Sequence, residues 1–267
     1  MGNTRVGIAG FGAIGRSIAE HIRQGIDGVE LAAVGVRNPE APPAFDWGGA
    51  PPRFTTLDGL EPHCEVVIEC APATLLSGIA SPFLRAGKKV IILSSSALLL
   101  QPELIELARE HQGQILVPTG AILGLDAILA AAEGCIESVK VVSRKPPRGF
   151  QGAPYVEKHG IDLLALTQPT MIFSGTAREV ALGFPANLNV AVSVSLAGVG
   201  PDNTSLEVWA DPTIDYNHHA VEVVSDSARL SMEIRNVPTA NPRTGRITAL
   251  SVMAMLRKMN APLSVGT

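Results

Sequence analysis

Gly10-Phe11-Gly12-Ala13-Ile14-Gly15 constrains this chain more than any other feature, because it lies between an apolar run, Val6–Ala9, and a helix-like stretch, Ile14–Arg23. Glycines at this spacing do three different things where a strand turns into a helix. The first permits the tight turn, the second lets a pyrophosphate approach the backbone, and the third lets helix and strand pack closely. The helix start, with unpaired N–H groups and the positive end of its dipole, favours an anion there. In this setting the segment reads as a dinucleotide-binding turn, with Gly10, Phe11, Gly12, Ala13, Ile14 and Gly15 as cofactor contacts. A glycine-rich turn that binds nothing is the alternative.

The rest of the first half fits that turn into a fold. Apolar runs at Leu31–Val36, Glu65–Glu69, Lys89–Leu93 and Ile115–Val117 alternate with helical patterns at Thr74–Ala86 and Pro102–His111. This is how a parallel sheet with crossover helices is written, and it predicts a Rossmann-type, doubly wound α/β domain over residues 1–120. The Pro- and Gly-rich stretch Arg37–Arg53 reads as an irregular connection. After Gly120 the pattern changes. A helix over Ala121–Ala132 is followed by strands at Ile136–Ser143, Leu206–Ala210, Ala220–Val224 and Leu230–Arg235, with one or two helices in Thr176–Leu196. Residues 121–245 therefore form a second, α+β domain built on a mainly antiparallel sheet. Helical spacing in Arg246–Met259 predicts a C-terminal helix, within 246–267, that completes the first domain.

Composition narrows the partners. With 46% hydrophobic and 17% charged residues and a formal net charge of −4, the chain has no basic block of the kind that displaces counterions from nucleic-acid phosphates. It has no apolar run long enough to span a bilayer. Arg5-Val6-Gly7-Ile8-Ala9 enters strand pattern directly, without a secretory leader, so the cytoplasm is the expected compartment. Three cysteines, Cys64, Cys70 and Cys135, are too few and too scattered for a disulfide framework or a zinc site. A small-molecule partner and a homodimer, the commonest assembly, are the expectations.

Two places carry further chemistry. At the end of the second strand, where an NAD-selecting carboxylate is usual, Val36 is followed by Arg37, which is suited to the extra phosphate of NADP. A solvated surface arginine is the alternative. In Asn217-His218-His219, after the turn-like Ala210-Asp211-Pro212, a histidine is placed to exchange protons near neutral pH, or else is simply structural. No metal-binding or hydrolase motif accompanies it, so no metal is expected.

Taken in order, the motifs resemble the L-aspartate dehydrogenase family. They are the glycine turn; Glu69-Cys70-Ala71; Pro118-Thr119-Gly120-Ala121-Ile122; Ser143-Arg144-Lys145-Pro146; Ser174-Gly175-Thr176-Ala177; Phe184-Pro185-Ala186-Asn187-Leu188-Asn189-Val190-Ala191; Asn217-His218-His219; and Ala240-Asn241-Pro242. The resemblance implies oxidative deamination of L-aspartate to oxaloacetate and ammonia through iminosuccinate, with NAD or NADP accepting the hydride. It also implies that His219 is catalytic and that Ala121 and Asn189 contact the cofactor. A dicarboxylic amino acid needs cationic or N–H partners, and Lys145 and a helix start at Ser174, Gly175 and Thr176 are the local candidates. Another amino-acid dehydrogenase, a dihydrodipicolinate-type reductase and a non-catalytic dinucleotide sensor stay open. Against the second stands motif order, since Ser174–Ala177 here precedes His218-His219.

Overall fold

The computed structural model describes residues 2–237 and 245–267. Its contacts divide the chain into two compact units, Met1–Pro118 with Ala249–Ser264, and Thr119–Thr248 with Val265–Thr267. The Ala240-Asn241-Pro242 motif lies outside the described residues.

The first unit contains β1 (Thr4–Ala9), α1 (Ala13–Arg23), β2 (Val29–Gly35), β3 (Arg53–Thr55), β4 (Val66–Glu69), α2 (Leu76–Arg85), β5 (Lys89–Ile92), α3 (Ser95–Leu99), α4 (Glu103–His111) and β6 (Gln114–Leu116). The strands form one sheet in the order β3-β2-β1-β4-β5-β6, and every pairing is parallel. Central strands of such a sheet are covered on both faces, which is why Val6, Ile8, Val67 and Ile68 are wholly or almost wholly buried. Strand order reverses between β1 and β4, and open α/β sheets bind ligands at the carboxyl ends of the strands flanking such a switch point. The glycine turn leaves β1 at that end. The connection from β2 to β3 has no regular structure until Arg53, yet it is anchored: Phe45 and Trp47 pack against Phe11 with ring centroids 5.3 and 5.5 Å away.

The second unit contains α5 (Leu125–Ala132), β7 (Ile136–Lys145), α6 (Pro154–Lys158), β8 (Thr170–Thr176), α7 (Ala177–Gly183), α8 (Asn189–Ala197), β9 (Thr204–Ala210), β10 (Asn217–Ser225) and β11 (Arg229–Asn236). Its sheet runs β11-β10-β7-β9-β8, with β7 and β9 parallel and the other neighbours antiparallel. One face is buried and the other is wetter, so β7 alternates Val139, Val141, Ser143 and Lys145 inward and β10 alternates Asn217, His219, Val221 and Val223 inward. Two sequence expectations need correcting. Helix α5 starts at Leu125 rather than Ala121, because Gly124 sits in the left-handed region at φ 69° and ends the turn that precedes it. Ser174 and Gly175 belong to strand β8 and not to a helix start.

The last helix, α9 (Ile247–Asn260), buries Val252, Met253 and Leu256 in the same cluster as Val6, Ile8 and Ile18 of the first unit. Asn260 Nδ2 donates to the Gly28 carbonyl at 3.1 Å, tying the helix end to the turn before β2.

Candidate active site

The glycines that follow β1 differ in environment. Gly10 has φ +100°, and a Cβ there would lie 2.8 Å from the Cys70 carbonyl oxygen and 2.9 Å from the Ala71 nitrogen. Gly15 is closed in the same way, since a side chain would strike the Gly10 carbonyl. At Gly12 a Cβ would meet nothing within 4 Å. Gly12 is also the N-cap of α1, with no side-chain cap, and the first turn of that helix carries no acidic residue. An uncapped helix start beside an open glycine fits the pyrophosphate of a dinucleotide in size and in charge.

The rim of this cradle is held by a buried carboxylate. Glu69, at the end of β4, accepts from Leu93 N at 3.1 Å, Ser94 N at 3.0 Å and Ser94 Oγ at 3.1 Å, and so braces the ends of β4 and β5. Burial pushes its pKa up, and these hydrogen bonds oppose the shift. Arg37 stands exposed just past β2, whereas Arg16 is engaged with the Ala44 carbonyl at 2.9 Å and lies over the Phe11 ring.

The inward face of the second sheet is apolar along most of its length and becomes polar at one end. His219 on β10 pairs in register with Ser143 on β7, and Ser143 Oγ lies 2.9 Å from His219 Nδ1 in a buried hydrogen bond. His219 is 1% exposed, and its pKa is held well below the ordinary imidazole range, first by burial and then by the charges of Lys145 and His218. Lys145 is two residues beyond Ser143 and so shares its face. Burial lowers the Lys145 ammonium from 10.5 to about 8. Its Nζ donates to the Asn187 carbonyl, Asn187 Nδ2 donates to the Gly149 carbonyl at 2.6 Å, and no carboxylate pairs with Lys145 among the described residues. A neutral imidazole of fixed orientation beside a buried cation is equipped to bind an anion and move a proton.

The neighbours of these residues face the other way. His218 meets Glu233 Oε2 at 3.3 Å on the wetter face, and Arg144 donates to Asp211 Oδ2 at 3.1 Å and lies over Trp209. The expected anion site at Ser174, Gly175 and Thr176 is not borne by the geometry. Thr176 caps α7: its N–H donates to Glu179 Oε2 at 2.7 Å, while Glu179 N donates to Thr176 Oγ1 at 3.3 Å. Arg178 N is taken by the Pro201 carbonyl at 3.1 Å, so these backbone donors of the helix start are occupied internally. Ala121 is half-buried ahead of α5, and Asn189 is the first residue of α8. Ser143, Asn187 and Glu69 carry roles that motif reading did not give them. For Ser143 the signal was its two-residue separation from Lys145, but only strand register joins it to His219.

The glycine cradle on a sheet of this order is that of a dinucleotide-binding protein, and comparison with known proteins gives its class, a nicotinamide-dinucleotide-dependent dehydrogenase. Residues 10–118 match the profile described as homoserine dehydrogenase, NAD binding domain, and residues 126–259 match aspartate dehydrogenase, C-terminal. The chain is 56% identical to L-aspartate dehydrogenase 3 of Bordetella bronchiseptica, over 98% of this chain and 97% of that one. It is 52% identical to the L-aspartate dehydrogenase of Bradyrhizobium diazoefficiens, over 98% and 94%. The fold is similar to that of solved aspartate dehydrogenase from Thermotoga maritima, with TM-score 0.74, 23% identity, and coverage of 99% and 100%. The chain belongs to the aspartate dehydrogenase family.

Proposed function

We propose that the chain oxidises L-aspartate with NAD or NADP and water to oxaloacetate, ammonium, a reduced nicotinamide and a proton, reversibly, through iminosuccinate. The observation that carries this reading is the buried, Ser143-fixed imidazole of His219 beside the buried ammonium of Lys145, which no carboxylate pairs among the described residues. A bound nicotinamide supplies the hydride acceptor; the second unit supplies charge and proton transfer.

Lys145 offers the charge that a substrate carboxylate requires, and a carboxylate would in turn relieve the cost of burying Lys145. The same anion raises the proton affinity of His219 from its depressed value toward neutrality, which is where a general base works best. His219 then takes a proton from the water that adds to the imine carbon and returns it to the departing nitrogen. Ser143 acts through His219 by fixing which way the ring points. In the first unit, Gly10, Phe11, Gly12, Ala13, Ile14 and Gly15 form the cradle for the pyrophosphate and Arg37 is suited to the NADP phosphate; Ala121 and Asn189, of the second unit, are assigned to the cofactor by family position.

NAD(P)H formation with L-aspartate, set against glutamate, alanine and homoserine, tests the substrate; faster turnover with any of the others would refute it. His219→Ala should lower kcat by about 10²–10⁴-fold while NAD(P)H fluorescence titration stays unchanged, and His218→Ala should be mild. Equal losses in both variants would remove the assignment. The reading includes a homodimer, to be checked by sedimentation, and a cytoplasmic location, to be checked by fractionation.

A further inference from the structure

Asn236 ends β11 on the face that matters. The inward series of that strand is Leu230, Met232, Ile234 and Asn236, the first three packed on the hydrophobic core. Register pairs Ile234 with His219 and Asn236 with Asn217. The apolar series therefore turns polar at the end of the sheet where His219, Ser143 and Lys145 do the same. Asn236 is 2% exposed.

Its amide is only half used. Asn236 Nδ2 donates to the Ala121 carbonyl at 2.9 Å, and because a carbonyl can only accept, that bond identifies which amide atom is the nitrogen. The other atom, Oδ1, is buried without a hydrogen-bond partner among the described residues. Folded proteins leave few such acceptors, and one on the face of a candidate active site calls for a donor that arrives with the ligand.

We propose that Asn236 Oδ1 receives the α-amino nitrogen of the substrate, and this rests on the reading of the chain as an L-aspartate dehydrogenase. Both carboxylates of aspartate are acceptors at neutral pH, so its amino group is the one strong donor it brings. The face then offers complementary ends: the Lys145 ammonium for a carboxylate and the Asn236 oxygen for the amine, with His219 on the strand between them. Inward positions along one strand recur about every 7 Å and neighbouring strands lie about 5 Å apart, a span suited to a four-carbon amino acid. Asn236 would thereby select amino acids over dicarboxylates that lack the nitrogen. Through Nδ2 it would also hold the Ala121 segment in place.

The test uses the whole enzyme, with turnover of L-aspartate by the native protein measured first; its absence would refute the functional reading and this proposal together. With turnover present, Asn236→Ala should raise KM for L-aspartate about tenfold or more, the loss expected for a hydrogen bond to a charged donor. The inhibition constant of succinate, which has no amine, should stay unchanged. If aspartate and succinate weaken together, Asn236 only supports the Ala121 segment. If neither changes, the amine is bound elsewhere and the proposal is overturned. A crystal of the native enzyme with L-aspartate tests the same point without any variant. The substrate nitrogen should lie about 3 Å from Oδ1, and a water or a carboxylate in that place would overturn the proposal.

Discussion

Replacing Lys145 with methionine should flatten the stability of this protein toward alkali and at the same time remove its hold on aspartate. The unfolded chain keeps the Lys145 proton up to about 10.5, whereas in the folded chain burial lowers the pKa to about 8. That gap corresponds to about 3 kcal/mol of destabilisation by the charged ammonium. A lysine with a lowered folded pKa destabilises the fold fully below about 8, and the penalty fades as pH rises toward 10.5, because the unfolded state then binds more protons. Urea unfolding at about pH 7.5 and about pH 9.5 should show native stability rising by roughly 2 kcal/mol relative to the variant. The comparison of slopes is the useful quantity, since the variant also leaves the Asn187 carbonyl without its donor and shifts both absolute values. Cys64, pushed up to about 11 by burial, works in the opposite direction at high pH in both proteins and cancels. KM for L-aspartate should rise at least about tenfold in the variant. Parallel pH profiles of stability would show that Lys145 is not a buried cation, and an unchanged KM would show that no carboxylate meets it.

Ser143→Ala should lower kcat about tenfold with the affinity for NAD(P)H unaltered, because His219 Nδ1 loses its partner; unchanged kcat and pH profile would mean that the ring needs no such support. Arg37→Ala should lower the ratio of kcat/KM for NADP over NAD about tenfold, and an unaltered ratio would remove Arg37 from cofactor choice. Gly12→Val and Gly15→Ala should separate binding from folding. The first meets open space and should weaken dinucleotide binding with Tm preserved. The second drives a methyl into the Gly10 carbonyl and should cost about 1–3 kcal/mol in thermal or urea unfolding. The reverse pattern would contradict the roles given to the two glycines.

The strand, glycine turn and helix that open the chain were legible because their signals, an apolar run, three spaced glycines and a helical period, are consecutive along the chain. Gly15 packs on Gly10 of its own turn and the apolar runs around them have the period of buried parallel strands, whereas the close approach of Gly10 to Cys70 and Ala71 is a long-range contact that only the structure shows. The place of Arg37 just past β2 was legible in the same way, by counting along the chain. The helix start expected at Ser174–Thr176 failed because Ser-Gly-Thr ahead of a helical run reads alike whether its N–H groups are free or already taken by Glu179 and Pro201. Alternation along β7 and β10 was enough to put Ser143 with Lys145 and His219 with Asn217. It could not say that β7 lies beside β10, or in which register. The bond from Ser143 to His219 spans 76 residues and that from Asn236 to Ala121 spans 115. What the sequence determined by itself is the dinucleotide turn, the domain classes and the residue types able to move protons. The tertiary structure alone decided which of those residues meet and how their proton affinities shift, because pairing, register and exclusion of water come from contacts between segments that are distant along the chain.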